Sequence, residues 1–275
     1  VTGLAGVPPL WNQLVQLDWP DELAATMRFI TNTGGAMPTK TLSKLREKLP
    51  NTRIFLQYGL TEAFRATYLP PDELDARPTS MGKAIPNAEI KVVREDGTPC
   101  APGEPGELVQ RGALVSLGYW NDPERTAQRF KPTPGQPNGL PIPELSVWSG
   151  DSVVKDEDGF LYFVGRKDDM IKSSGYRISP TELEEVIYGT GLVNECAALG
   201  IPHFDLGQAV IIVCHAEERG EQIKESILNA CRKALPNYMV PTEIIFQEVL
   251  PKNPNGKIDR KQLASLFEDL FQKSE

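Results

Sequence analysis

Apolar positions along this chain follow three successive patterns, and each predicts a different kind of structure. In residues 25–63, "ATMRFITNTGGAMPTKTLSKLREKLPNTRIFLQYGLTEA", Phe29 and Ile30 run into Gly34 and Gly35. Pro38 then opens a stretch with Leu42, Leu45 and Leu49 at helical spacing, and Ile54 to Leu56 restart a strand. Strand, glycine turn, helix and strand make a βαβ fragment of an α/β layer.

From about Met81 the pattern shortens to brief strands punctuated by Gly and Pro: "AEIKVV", "GELVQRG" and "SVVKDEDGFLYFVG". Asp158-Gly159 between two apolar runs is a hairpin signal. Residues 131–144, rich in Pro and Gly, read as a surface loop because strands resume directly after them. Beyond "GRKDDMIKSSGYR" the period changes again. Ser179-Pro180-Thr181-Glu182 has the order of a capping box with Pro at the first helical position, and Leu183, Val186 and Ile187 give the helix an apolar face. Strands are expected at about 195–201 and 208–215, then a helix over 221–234 and a strand near 243–249. A last helix is expected from Asp259, with Leu263, Leu266, Phe267, Leu270 and Phe271 at helical spacing.

The chain has 275 residues, which at roughly 150 per domain suggests two domains, or one with a smaller neighbour. An apolar fraction of 40%, a charged fraction of 24% and a net charge of -8 describe an ordinary globular composition. An acidic balance without basic blocks argues against a nucleic-acid surface, since phosphate neutralisation needs clustered Lys and Arg. No apolar run approaches the ~20 residues of a membrane-spanning helix, and residues 1–25 lack the order of a signal peptide, so a cytoplasmic chain is expected. Cys100, Cys196, Cys214 and Cys231 form no CxxC pair and read as reduced thiols. With only His203 and His215 present, His-based triads and metal clusters are poorly supplied. Val1 leads at once into a Gly/Pro loop, as though a longer chain were cut open within a domain.

Five stretches carry candidate chemistry, each with a plainer alternative. Gly34-Gly35-Ala36 lets a ligand approach the backbone at a helix start, or is simply a turn. "YGLTE", Tyr58 to Glu62, puts a hydroxyl and a carboxylate after a strand, where open α/β sheets place ligands, or is a strand end with Thr61 as an N-cap. Asp151 in "WSGDSV" can accept both hydroxyls of a ribose or form an Asx-turn. "GRKDDMIK" fits a charged hinge or an exposed turn. In "NPNGKIDRK", Pro254, Asn255 and Gly256 dictate a tight turn, and Lys257 is either solvated there or held out for chemistry. No GxxxxGK[ST] phosphate loop occurs.

Taken in order, GGA at 34–36, YGLTE at 58–62, "GELVQRG" at 106–112, "GYWNDPERTAQRF" at 118–130, "SGD" at 149–151, "GRKDDMIKSSGYRISPTELE" at 165–184 and "NPNGKIDR" at 253–260 resemble the AMP-forming adenylating enzymes. That superfamily holds acyl-CoA synthetases, adenylation domains of peptide synthetases and beetle luciferases, and "IKSSGYRISPTELEEVI" is most similar to the acyl-CoA ligase branch. The resemblance implies an α/β plus β-barrel-like remainder of a large domain, followed by a small α+β C-terminal domain. Residues 1–80 would end the α/β part, 81–166 would be a β-rich subdomain, and 167–275 a small mobile domain.

By the same resemblance, Gly35, Ala36, Tyr58 and Gly59 would line the nucleotide. Thr61 would bind phosphate and Glu62 Mg²⁺. Asp151 would accept the ribose hydroxyls, Arg166 would support the nucleotide and Asp168 would be the hinge. Gly175 would line the thiol entrance, and Lys257 would be the adenylation lysine. The implied activity is ATP-dependent conversion of a carboxylate to acyl-AMP, then transfer to the thiol of coenzyme A. The alternatives are loading of a phosphopantetheinyl carrier protein, or a non-catalytic binding fragment. The family's Ser/Thr/Gly-rich phosphate loop does not occur upstream of Gly34, so the chain is expected to be the C-terminal part of a ligase, lacking its N-terminal part and inactive alone.

Overall fold

The computed structural model describes residues 1–271 apart from 138, 140 and 255. The chain divides into two compact units: Val1–Trp11, Val15–Met37 and Lys44–Lys167 form one, and Asn12–Leu14, Pro38–Ser43 and the chain from Asp168 onward form the other.

The first strands are β1 (Gly3–Gly6), β2 (Phe29–Asn32) and β3 (Arg53–Tyr58), which pair in parallel. Helices α1 (Pro8–Leu14) and α2 (Asp21–Thr26) lie between β1 and β2, and α3 (Thr39–Lys48) is the crossover from β2 to β3. Ile30, Ile54 and Leu56 point inward at alternate strand positions, and Leu42, Leu45 and Leu49 are buried at helical spacing. Burying each such side chain contributes about 1.5–3 kcal/mol before entropy is counted.

At Tyr58 the chain reverses, and the pattern becomes antiparallel. Strands β4 (Thr67–Leu69), β5 (Ser80–Ala84), β6 (Ala88–Val93), β7 (Gly106–Gly112), β8 (Phe130–Pro132), β9 (Leu145–Lys155) and β10 (Leu161–Arg166) extend one ten-stranded sheet in the order β1-β2-β3-β4-β5-β10-β9-β7-β6. The β9–β10 hairpin turns at Asp158-Gly159, with Gly159 at φ 85°. The barrel-like expectation is modified: among the described strands the path runs open from β1 to β6. Strand β9 pairs β7 along one edge, and its other edge is divided between β8 and β10, so the sheet forks there. Strand β6 ends the path carrying Glu89 and Lys91, charges of the kind that blunt a sheet edge. Lys131 and Pro132, expected in a loop, belong to β8 because Phe130 is buried against Val147 and Ala63 and draws its neighbours into register with β9. Asn138 and Leu140 of that stretch lie outside the described residues. Helix α4 (Pro123–Arg129) is capped by Asp122, which accepts the Arg125 N–H.

In the second unit, β11 (Ile171–Ser173), β12 (Tyr176–Ile178), β13 (Glu195–His203), β14 (Gly207–His215) and β15 (Glu243–Phe246) form a five-stranded sheet. Helix α5 (Pro180–Thr190) begins at Ser179, whose hydroxyl accepts the Glu182 N–H, and ends at Gly191 in the left-handed region. Helix α6 (Glu221–Ala234) and helix α7 (Arg260–Leu266) complete the unit. Strands β13 and β14 are buried on both faces, which is why they read as unbroken apolar runs. Cys196, Ala198, Val210, Ile212 and Cys214 join one core with Leu183, Ile187 and Ile227, while Ala197, Leu199, Ile201, Ile211 and Val213 join another with Leu250 and Leu263. Two ends differ from expectation. Strand β15 stops at Phe246, and Val249 is exposed. Helix α7 stops at Leu266, leaving Leu266 and Leu270 exposed; Leu263 and Ala264 pack on the core from the helix, while Phe267 and Phe271 reach it from beyond the helix end.

All four cysteines are free and buried. Among the described residues no helix is long and apolar enough to cross a membrane.

Candidate active site

Parallel strands β2 and β3 end side by side, so the loops leaving them share one end of the sheet. After β2, Gly34 takes φ 81°, and the buried Asn32 donates from Nδ2 to the Gly35 carbonyl at 2.9 Å, which leaves Gly35 and Ala36 exposed on a fixed loop. After β3 the turn is tighter. A Cβ on Gly59 would stand 2.7 Å from the Arg65 nitrogen, so only glycine fits, and the Tyr58 carbonyl accepts the Ala66 N–H at 2.9 Å. No helix follows Thr61, so it is not an N-cap; it is exposed on this bend. Glu62 is tied to the "GYWN" stretch: its carbonyl accepts the Ser116 N–H at 2.8 Å, and its carboxylate accepts the Tyr119 hydroxyl. Desolvation first, then the hydrogen bond and charge of Glu62, push the Tyr119 phenol above its ordinary pKa, so it stays a donor.

Asp151 lies inside β9 and is 3% exposed. Its carboxylate is met from two sides by residues remote in sequence. Tyr58 at the end of β3 donates its hydroxyl to Oδ2 at 2.6 Å, and Nη1 of Arg166, its register partner on β10, stands 3.4 Å from Oδ1. Burial, then the charge of Asp151 and the hydrogen bond to it, hold the Tyr58 phenol well above its usual range. The backbone around Asp151 is held as firmly. Its N–H donates to Ser149 Oγ at 3.0 Å, and Ser149 in turn donates to the Leu108 carbonyl at 2.7 Å. Gly150, at φ 73°, donates its N–H to Glu107 Oε1 at 2.9 Å, and Lys167 Nζ reaches Glu107 Oε2 at 2.9 Å. A carboxylate so placed can hold a pair of neighbouring hydroxyls.

In the second unit, Asp168 opens the long C-terminal segment and is exposed. Ser174 (φ 49°) and Gly175 (φ 81°) form the two-residue turn between β11 and β12, the mirror-image turn that suits strand twist. Among the described residues, its chain neighbours aside, no atom stands within 4 Å of where a Gly175 Cβ would be. Lys257 is exposed near the tip of a hairpin, where Asn253 N–H donates to the Lys257 carbonyl at 2.8 Å and Lys257 N–H to Asn253 Oδ1 at 3.1 Å. Asn255 of that turn lies outside the described residues.

The AMP-binding enzyme model matches residues 1–120, and the model of the AMP-binding enzyme C-terminal domain matches residues 182–257. This chain belongs to the AMP-binding enzyme family. The long-chain-fatty-acid–CoA ligase of Escherichia coli O157:H7 is 34% identical over 262 residues, 95% of this chain and 44% of that protein. The D-alanine–D-alanyl carrier protein ligase of Bacillus cereus (strain G9842) is 30% identical over 260 residues, 92% of this chain and 50% of that protein. The solved structure of ATP-bound MatB from Rhodopseudomonas palustris superposes with a TM-score of 0.85 at 27% identity, covering 98% of this chain and 52% of that one. The chain thus spans about half the length of the curated relatives it matches.

The structure joins Tyr58 to Asp151 by a hydrogen bond and Arg166 to the same carboxylate by an ion pair, and keeps Glu62 with Tyr119. Gly35 and Ala36 lie on the neighbouring strand's loop. Asp151, Arg166, Asp168 and Gly175 fall between the two family-matched segments. Sequence reading missed Tyr119, Ser149 and the Glu107–Lys167 pair. Glu107 gave a signal: a carboxylate inside the apolar strand "GELVQRG" has to find partners when it is buried.

Proposed function

We propose that this chain is the adenylate-binding and mobile-domain portion of an ATP-dependent carboxylate–CoA ligase. One observation carries the reading: the buried Asp151 carboxylate, flanked by Tyr58 and Arg166 beside the loops that end β2 and β3. In the first step a substrate carboxylate oxygen attacks the α-phosphorus of ATP, and the bond to pyrophosphate breaks. In the second, a thiol sulfur attacks the acyl carbon and AMP leaves. Asp151 accepts the ribose hydroxyls in both steps. Tyr58 holds its carboxylate in place, and Arg166 adds positive charge near the nucleotide. Gly35 and Gly59 allow backbone to approach the nucleotide without a Cβ, Ala36 presents only a methyl group there, and Thr61 offers a hydroxyl to phosphate. Lys257 supplies a compact cation where negative charge gathers in the first step, and positioning with electrostatic stabilisation does most of the work. Asp168 is the hinge about which the small domain changes orientation, and Gly175 then lines the path of the thiol.

Mg²⁺ fits Glu62, whose oxygens are hard donors. Among the described residues no cluster of three or more His, Cys, Asp or Glu could hold a metal by itself, so the ion would share Glu62 with substrate phosphates, as magnesium commonly does. When bound, it neutralises phosphate charge. The carrier-protein ligase among the relatives favours a second reading, transfer to a phosphopantetheinyl carrier protein. The test is pyrophosphate exchange into ATP across a panel of carboxylates in the intact enzyme, followed by transfer to free CoA or to a carrier protein. Failure to exchange pyrophosphate with any carboxylate would leave only a binding role.

A further inference from the structure

Glu184 stands out of pattern on α5. It is buried beside Leu183 and Ile187, where a carboxylate is costly unless paired. Its Oε1 accepts the Ala198 N–H at 2.7 Å and Arg260 Nη1 at 2.6 Å, and its Oε2 accepts Arg260 Nη2 at 2.9 Å. Arg260 Nη1 also reaches the Ala198 carbonyl at 3.3 Å. Carboxylate and guanidinium together therefore satisfy both outward backbone groups of Ala198, as a further strand would. One turn along α5, Tyr188 does the same at Cys196, accepting its N–H at 3.0 Å and donating to its carbonyl at 3.5 Å. The match follows from geometry: residues four apart on a helix are separated by about 6 Å along its axis, close to the ~6.6 Å between residues two apart on a strand.

Arg260 is also the first residue of α7 and follows Lys257 by three positions. The intervening hairpin is pinned at its base. Lys252 bridges Ile258, the Asp259 N–H donates to the Pro251 carbonyl at 2.8 Å, and Lys252 Nζ reaches Glu195 Oε1 on β13 at 2.6 Å. Both arms of the hairpin are thus fastened to β13, one through Glu195 and the other through Ala198 and Glu184.

We propose that Glu184 and Arg260 are positioning residues for Lys257, their forked pair fixing the base of the hairpin so that the lysine is presented from one place. The inference rests on the reading of Lys257 as the adenylation lysine. A flexible four-carbon stem gives the ammonium little direction of its own, so its aim depends on where its backbone is anchored. A bidentate guanidinium–carboxylate pair fixes orientation as well as distance, which a single cation cannot do.

The test measures two half-reactions in the intact enzyme, pyrophosphate exchange and thioester formation from supplied acyl-AMP. The variants are Lys257→Ala, Glu184→Gln, Arg260→Gln and the milder Arg260→Lys, each assayed where circular dichroism shows it folded. Glu184→Gln and Arg260→Gln are expected to lower kcat of exchange by about tenfold to a hundredfold, the scale of an ångström-sized misplacement. The KM for ATP and the thioester step should stay within about threefold of wild type, a split that loss of folded protein would not give. Arg260→Lys should recover part of the loss. Added to Lys257→Ala, either clamp substitution should cost no further exchange, because nothing remains to be positioned. Fully additive losses, equal damage to both half-reactions, or wild-type exchange in the clamp variants would overturn the proposal. Failure of the underlying reading shows itself separately, as exchange unharmed by Lys257→Ala.

Discussion

Tyr58 and Asp151, 93 residues apart in sequence, share a 2.6 Å hydrogen bond in which the partly buried phenol donates to the buried carboxylate. The bond ties the end of the last parallel strand, β3, to the middle of β9 in the antiparallel part of the same sheet. A charge at 3% exposure is tolerated only if partners hold it, and Tyr58 and Arg166 are two of them.

If Asp151 holds the ribose in both steps as proposed, replacing it should harm both half-reactions. Asp151→Ala is expected to weaken ATP and acyl-AMP by about 1.5–3 kcal/mol each, the scale of a hydrogen bond to a charged group. Tyr58→Phe should cost less, about 0.5–1.5 kcal/mol, since the carboxylate keeps its other partners. Calorimetric affinities for both ligands check this; an unchanged ATP affinity in Asp151→Ala would mean that the residue serves only the sheet.

The Glu62–Tyr119 bond makes a prediction about metal. Tyr119→Phe leaves the carboxylate without its hydroxyl donor; if Glu62 holds Mg²⁺ as proposed, the Mg²⁺ concentration for half-maximal exchange should rise by about tenfold, as is usual when a ligand's supporting partner is lost. Glu62→Gln should raise it further. A magnesium titration of pyrophosphate exchange decides, and two unshifted curves would remove Glu62 from the metal's surroundings.

The fold is legible in the sequence where burial writes a period. Strands β13 and β14 are apolar on both faces, α5 begins with Ser179-Pro180, and α3 repeats leucine at helical spacing, so their positions follow from residue order. Element ends are less legible. Leu270 and Phe271 keep helical spacing although α7 stops at Leu266, because a period records which residues are apolar and not whether backbone bonds continue. The site is legible only residue by residue. Asp151, Glu62 and Lys257 stand in recognisable motifs, but their partners Tyr58, Tyr119 and Asn253 come from strand pairing and loop packing, in two cases across dozens of positions. The fork at β9 is likewise a matter of pairing, and nothing in "LSVWSGDSVVK" announces it.

Burial of the thiols predicts alkaline sensitivity in the second unit. Desolvation pushes Cys214 from an ordinary 9.0 up to about 12, and Cys196 and Tyr188 are raised for the same leading reason. A raised folded pKa means that the folded chain keeps a proton which the unfolded chain gives up. Stability is then fully present below about pH 9 and declines as pH rises through the folded values, toward 12 for Cys214. Thermal midpoints measured from pH 8 upward should fall in that window, and Cys214→Val should flatten the decline. A midpoint independent of pH there would contradict it.

The proposed reading gives the small domain two orientations, with Lys257 serving one of them and Asp168 as the pivot. Lys257 is exposed at a hairpin held by Asn253, and Asp168 is exposed where one compact unit gives way to the next. If the lysine reaches the α-phosphate in only one orientation, Lys257→Ala should depress adenylate formation by ~10² or more, the scale of losing one transition-state donor. Thioester formation from supplied acyl-AMP should be nearly untouched, because that step uses the other orientation. Asp168→Pro is the complement: proline fixes φ at the hinge, so the orientation change should slow, and with it the second step if domain motion gates turnover. Rapid-mixing measurement of each half-reaction separates the two variants. Equal damage to both steps from Lys257→Ala would make the lysine a general binding charge, and a fast second step in Asp168→Pro would place the pivot at another residue.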